Sequence, residues 1–182
     1  MKRVVVTGMG VVSAVGNNFD DFWASIAAGT NGIDCITRFD TTDFRTKMGG
    51  EVRGFEAESY MDKKDAKRLP LFIQFALASA MMAHKDSGLN LELIDPYRIG
   101  VGVGSGIGGI CVMEENARLL MEKGPKRVSP FFVPFEIINM ASGRISMRLG
   151  AKGPNYASVT ACATSNNAIG EAFRIVQRGD AD

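Results

Sequence analysis

Cys162 sits in the run Ser158-Val159-Thr160-Ala161-Cys162-Ala163-Thr164-Ser165, where a strand-like stretch ends, small residues turn the chain and a helical pattern begins. A cysteine so placed is equipped for acyl transfer. A helix N-terminus favours the thiolate through its positive dipole end. A sharp turn at the carboxyl end of a strand exposes the sulfur where α/β proteins build their sites. The cysteine amide, uncommitted at a helix start, can donate to an oxyanion. Small neighbours leave room for a thioester. The competing reading is a small buried hydrophobe between alanines, and the local sequence leaves both open. Cys35, in a polar loop, and Cys111, early in an apolar helix, read as structural.

A thiolate works with a partner that moves protons. The one histidine, His84, falls late in a helix beside its inner face and reads as structural. No histidine follows Cys162, so a papain-type hydrolase is poorly supported. Gly104-Ser105-Gly106-Ile107-Gly108-Gly109 spells G-x-G-x-x-G between a strand and a helix, and Gly8-Met9-Gly10 opens a looser match. A dinucleotide site also needs an acidic residue about 20 residues further on, at the end of the next strand. Counting on from Gly106 reaches Gly124-Pro125-Lys126-Arg127, which is neither acidic nor strand-like. Counting on from Gly10 reaches 29–34, with no apolar strand before Asp34. Tight packing around a strand end accounts for these glycines better than a pyrophosphate does. No G-K-[ST] occurs, so there is no Walker-A loop.

These residues need elements to position them. Residues 3–7 read as a buried strand stopped by Gly8. Asn18 caps a helix on which Phe19, Phe22, Trp23, Ile26 and Ala27 share one face, and Gly29 ends it. Residues 30–60 have no clean period and read as a loop excursion with short pieces of structure. Pro70 fits the first turn of a long helix with Phe72, Phe75, Ala76, Ser79, Ala80 and Ala83 inward, stopped by Gly88. A strand over 98–103 leads into the glycine loop and a helix to about Lys123. Gly124-Pro125 breaks the chain. Pro134 opens a helix with Ile137, Ile138, Ala141, Ile145 and Leu149 inward, and Gly150 follows it. A strand over 156–160 leads to a helix that begins at Cys162, carries Ile169, Phe173 and Val176, and ends at Gly179. Strands alternating with helices indicate the α/β class with a largely parallel sheet. The chain ends just after a helix, where an α/β unit would continue into a strand, so the expectation is the first part of a longer fold.

Composition narrows the function classes. The 182 residues are 46% hydrophobic and 23% charged, enough for a sizeable core. The 21 glycines are roughly 12% of the chain, against a usual ~7%. A net charge of +1 gives no overall field for nucleic acid or an anionic membrane. Three widely spaced cysteines argue against a disulfide framework or a zinc site. The N-terminal apolar stretch is too short and Gly-rich for a signal peptide or membrane span. A cytoplasmic protein of one domain is expected, with no metal and no cofactor.

Taken together, residues 3–13, 104–109, 124–127, Asn139-Met140-Ala141-Ser142-Gly143 and Thr160-Ala161-Cys162-Ala163-Thr164-Ser165 resemble the β-ketoacyl-[acyl-carrier-protein] synthases, above all the bacterial type II elongating kind. The resemblance covers essentially the whole chain. It implies a thiolase-like fold of two α/β halves in a homodimer, of which residues 1–182 are the N-terminal half. It implies that Cys162 takes an acyl chain from acyl-carrier protein, and that malonyl-carrier protein then loses carbon dioxide and attacks that thioester. Two histidines, a lysine and a second oxyanion amide come from the other half in this family, so residues 1–182 alone are expected to be inactive. Ile107 matches the residue that gates the acyl pocket, and Phe132 an aromatic that lines it. An apolar tunnel gains about 0.8 kcal/mol per buried methylene. For both residues ordinary core is the competing reading. Lys64, Lys67 and Arg68, with Lys126 and Arg127, match the surface that docks the acidic carrier protein, where charge mainly raises encounter rates. A solvated basic face is the competing reading there. A polyketide-type ketosynthase and a non-catalytic partner subunit are the alternatives within the same fold. Retention of Cys162 speaks against the second, because acyl capture requires a thiol.

Overall fold

The computed structural model describes residues 2–182. Its elements run helix α1 (Phe19–Ala27), strands β1 (Asp34–Cys35) and β2 (Met48–Gly49), helices α2 (Lys63–Arg68) and α3 (Leu71–Ser87), strand β3 (Val101–Gly104), helices α4 (Ile110–Lys123), α5 (Phe132–Glu136) and α6 (Asn139–Leu149), strand β4 (Asn155–Ser158) and helix α7 (Thr164–Arg178). Strands β3 and β4 pair in parallel from Val101↔Asn155 to Gly104↔Ser158. Such a pair needs a long crossover, and α4, α5 and α6 supply it. Helix α3 packs on α6, α6 on β3, and α7 against both strands. The core lies between these layers: Met61, Leu69, Ile73, Leu77, Val101 and Ile145. Ile73 is fully buried, which contributes about 1.5–3 kcal/mol by area alone.

The mixed helix-and-strand class agrees with the sequence reading, but several elements differ from it. Residues 3–7 form no ladder among the described residues, and Val5 and Val6 are 62% and 80% exposed. The segment after them lies against a helix instead. A Cβ on Gly8 would stand 2.2 Å from the Ala83 carbonyl oxygen, and one on Gly10 2.1 Å from that of Ser79. Helix α3 therefore meets backbone along the flank carrying Ser79 and Ala83, while Ile73, Gln74, Leu77 and Ala78 are its buried residues. The expected inner face is only half-buried. A helix covered on more than one side has no single apolar stripe for periodicity to find.

The helix expected to open at Pro134 begins at Phe132 and breaks at Ile137, whose ψ of 139° is extended. Gly109 N–H donates to the Glu136 carbonyl at 2.9 Å, and this bond lies just where the helix stops. Helix α2 is an element to which the sequence reading assigned no secondary structure: the basic run before α3 is itself a short helix. Asp62 caps it, accepting from the amides of Lys64 and Asp65 at 2.9 Å each. Gln74 Nε2 donates to the carbonyls of Ala66 and Leu69 near its other end. Helix α1 forms under its Asn18 cap as expected, yet its apolar stripe stays on the surface, with Trp23 61% exposed.

Residues 30–60 carry a two-residue antiparallel pairing of β1 and β2 and one 3-10 turn, Ala57–Ser59. Glu51 organises it. Its carboxylate accepts from the Thr37 hydroxyl at 2.7 Å and from the amides of Thr37 and Arg38 at 3.0 and 3.1 Å. The Thr37 hydroxyl above all, against desolvation, holds this carboxyl below its usual range, with those amides and Arg53 adding to it. A carboxyl depressed in the fold stabilises above its unfolded pKa, and that contribution is lost as pH falls through the folded value. Glu51→Gln is therefore expected to lower the thermal midpoint at neutral pH, with the gap to wild type closing in acid. A gap unchanged down to about pH 3 would rule this out.

Candidate active site

Because β3 and β4 are paired in register, both end at the same level, and Ser105 N–H reaches the Ser158 carbonyl at 3.3 Å. Two connections leave this carboxyl edge: the glycine loop into α4 and the cysteine turn into α7. The cysteine turn is not the start of an α-helix, as expected, but a 3-10 turn, Ala161–Ala163, placed before it. Ala161 is the one non-glycine residue with positive φ among those described, at 49°. That region costs an L-residue about 1–2 kcal/mol, and such strain gathers at functional sites. Cys162 follows it directly, and the residue is exposed. Its amide donates to no acceptor among the described residues. The positive end of the 15-residue helix α7 begins two residues later. An exposed thiol, a free amide beside it and a helix N-terminus together suit attack on a carbonyl and stabilisation of the resulting oxyanion.

The turn is fastened by Thr164, a residue that motif reading missed. Its hydroxyl accepts from Thr160 N–H at 2.8 Å and donates to the Ala161 carbonyl at 2.7 Å. Thr164 also touches the glycine loop, since a Cβ on Gly104 would lie 2.6 Å from its Cγ2. The other glycines are filled in the same way. Gly102 faces the Tyr156 ring, and Gly108 and Gly109 face the carbonyls of Glu136 and Phe135. Gly106 alone in this loop has open space around it. At Gly102, Gly104, Gly108 and Gly109 protein atoms fill the space a side chain would take, in agreement with tight packing around the strand end.

Ile107 projects from the tip of this loop, 64% exposed. Phe132 opens α5 and is half-buried. Its neighbours Phe131 and Phe135 stack at 5.5 Å between centroids. Cys162, Ile107 and Phe132 are thus joined in one line of packed backbone: cysteine turn, Thr164, glycine loop, α5. His84 lies in the last turn of α3, its carbonyl accepting from Ser87 Oγ at 2.7 Å, and no hydrogen bond joins it to Cys162 among the described residues.

The basic residues divide into two groups. Lys64 and Arg68 line an open cavity of about 340 Å³ with Asp62, Asp65, Phe131, Phe135 and Arg144. The Arg68 guanidinium stands 4.9 Å from the Phe131 ring centroid, a cation–π contact. Arg144, from α6, reaches Asp65 at 3.8 Å. Its place here was invisible in the sequence, far from the basic run. Lys67 is exposed on the same short helix. Lys126 and Arg127 occupy a separate, exposed 3-10 turn packed on α4. Asn116 holds the segment that follows, accepting from Ser129 N–H at 2.9 Å. Among the described residues, no helix is long and apolar enough to cross a membrane.

The chain is 53% identical over 181 residues to the 3-oxoacyl-[acyl-carrier-protein] synthase 2 of Staphylococcus aureus (strain COL), covering 100% of this chain and 44% of that protein. It is 50% identical over 181 residues to the protein of the same name from Vibrio cholerae, again covering 100% of this chain and 44% of the relative. It therefore spans under half the length of these curated relatives. A crystal structure of a β-ketoacyl synthase from Burkholderia phymatum STM815 superposes on 100% of this chain and 45% of its own, with a TM-score of 0.85 at 26% identity. The same architecture thus holds well beyond the range of close sequence similarity. With the family model of the β-ketoacyl synthase N-terminal domain matching residues 1–182, this chain belongs to that family.

Proposed function

We propose that the chain is the N-terminal half of a condensing enzyme of fatty acid elongation, with Cys162 as its acyl acceptor. The observation that carries this reading is the exposed thiol on a positive-φ turn with its own amide free. The Cys162 thiolate attacks the carbonyl of an acyl thioester. The carrier's C–S bond breaks, the carrier leaves as thiolate and takes up a proton, and the acyl group stays on Cys162. Malonyl thioester then loses carbon dioxide, and its carbanion attacks the Cys162 thioester. That step forms a carbon–carbon bond and returns the Cys162 thiolate. The groups that polarise the malonyl thioester lie outside these residues. Ile107 gates the acyl pocket and Phe132 lines it. The relatives' names specify acyl-carrier protein, and an acidic carrier suits the exposed cations Lys64, Lys67 and Arg68, with Lys126 and Arg127 as a second contact. We extend the reading to a homodimer, as the family resemblance implies. The three free thiols fit the reducing cytoplasm.

The full-length protein, given acyl- and malonyl-carrier protein, is expected to release carbon dioxide and form 3-oxoacyl-carrier protein. No product with either substrate order would overturn the reading. In the same assay, Lys64→Glu with Arg68→Glu should raise the half-saturating carrier concentration roughly tenfold at low ionic strength and much less at high salt. An effect independent of salt would remove these two residues from the docking surface.

A further inference from the structure

Thr164 is 4% exposed, and its side chain reaches back over the nucleophile. One hydroxyl makes two bonds, from Thr160 N–H and to the Ala161 carbonyl. The donors and acceptors that shape the turn close around it, since Ala163 N–H donates to the Thr160 carbonyl at 3.0 Å and Thr164 N–H to that of Ala161. Ala161 sits at a φ that alanine avoids, so something must hold it there. The Thr164 hydroxyl grips the residues on both sides of that strained peptide. Its methyl and carbonyl abut Gly104, at the end of β3 where the Ile107 loop departs. The hydroxyl proton is committed to Ala161, so Thr164 is not placed to give a proton to a substrate.

We infer that Thr164 is a positioning residue: it fixes the direction of the Cys162 thiol and amide, and it sets the cysteine turn against the loop carrying Ile107. The inference rests on Cys162 being the acyl acceptor. Its consequence is specific. Losing the two bonds should slow acyl capture at saturating donor while leaving donor binding almost unchanged, because the docking surface lies elsewhere.

The test uses three forms of the full-length protein: wild type, Thr164→Val and Thr164→Ser. Valine keeps the volume and a methyl toward Gly104 but removes both hydrogen bonds. Serine keeps both bonds. Acyl transfer from acyl-carrier protein to Cys162 is followed by mass spectrometry in single turnovers, well below each thermal midpoint. Thr164→Val should lose roughly ten- to hundredfold in the saturated rate, with the half-saturating donor concentration within about twofold, while Thr164→Ser stays within about threefold of wild type. A wild-type rate in Thr164→Val overturns the inference, whatever happens to its thermal midpoint. If Thr164→Val does not fold, the double variant with Ala161→Gly is measured, because glycine takes a φ of 49° without strain. Capture slower there than in Ala161→Gly alone supports the positioning role, and a rate equal to that of Ala161→Gly alone overturns it. A wild-type protein that takes no acyl group at Cys162 overturns the functional reading and this inference together, an outcome distinct from fast capture by Thr164→Val.

Discussion

Cys162→Ala is expected to abolish acyl capture by the full-length protein, lowering the rate of thioester formation by roughly 10³-fold or more. The size follows from chemistry, because no other group in the turn can form the thioester. The sharper content lies in the two controls. Cys111 also emerges from the carboxyl edge, in the first turn of α4 and exposed. Exposure and a helix N-terminus are therefore not unique to Cys162. What Cys111 lacks is the strained turn. Its helix follows Gly109 in continuous α-geometry, with Val112 and Met113 amides already donating back to the Gly109 carbonyl. Cys35 lies on a two-residue strand, its sulfur 3.8 Å from that of Met48. Cys111→Ala and Cys35→Ala should each capture acyl groups at close to the wild-type rate. Intact-mass analysis after mixing with acyl-carrier protein checks all three. Acyl mass retained by Cys162→Ala and lost by Cys111→Ala would move the site to α4.

Much of this site was legible because it is local. The cysteine turn, the glycine loop and the helix after each occupy contiguous residues, and their residue types report their backbone. The sequence reading missed what depends on distant neighbours. Residues 3–7 have the composition of a strand, yet the backbone that Gly8 and Gly10 touch belongs to α3, some 70 residues away. A β-branched run states a preference for a pleated surface, not which surface is present. The inner face of α3 was misread for a related reason, because a helix packed on several sides carries apolar residues all round. Arg144 and Arg68 come from separate helices, and nothing in either segment announces their shared cavity. Thr164 was in view all along, inside the motif. Its task shows only when Ala161 is seen at positive φ, since a threonine after a cysteine signals nothing by itself.

The glycine loop offers the clearest separation of two readings, because its glycines should not behave alike. Were they there to admit a phosphate, an added methyl at Gly104, Gly106 or Gly109 would damage ligand binding first and folding little. The packing says otherwise. A Cβ on Gly109 would stand 2.2 Å from the Phe135 carbonyl oxygen and 3.0 Å from Glu136 Cα. Those atoms are backbone of α5, and the 2.9 Å bond from Gly109 N–H to the Glu136 carbonyl holds them close. Relief requires α5 to retreat by about 1 Å, which breaks that bond and displaces Phe132 and the Phe131–Phe135 pair. Gly109→Ala is therefore expected to cost about 3 kcal/mol, the upper end of overpacking. Gly106 has nothing within 4 Å of its added Cβ and no positive φ. Gly106→Ala should fold as well as wild type, or slightly better through a less flexible unfolded chain. Thermal denaturation of the full-length variants decides between the readings. A midpoint lowered by roughly 5 °C or more for Gly109→Ala and unmoved for Gly106→Ala fits packing. Equal, small shifts at both positions would mean that these glycines serve a ligand rather than the seat of α5.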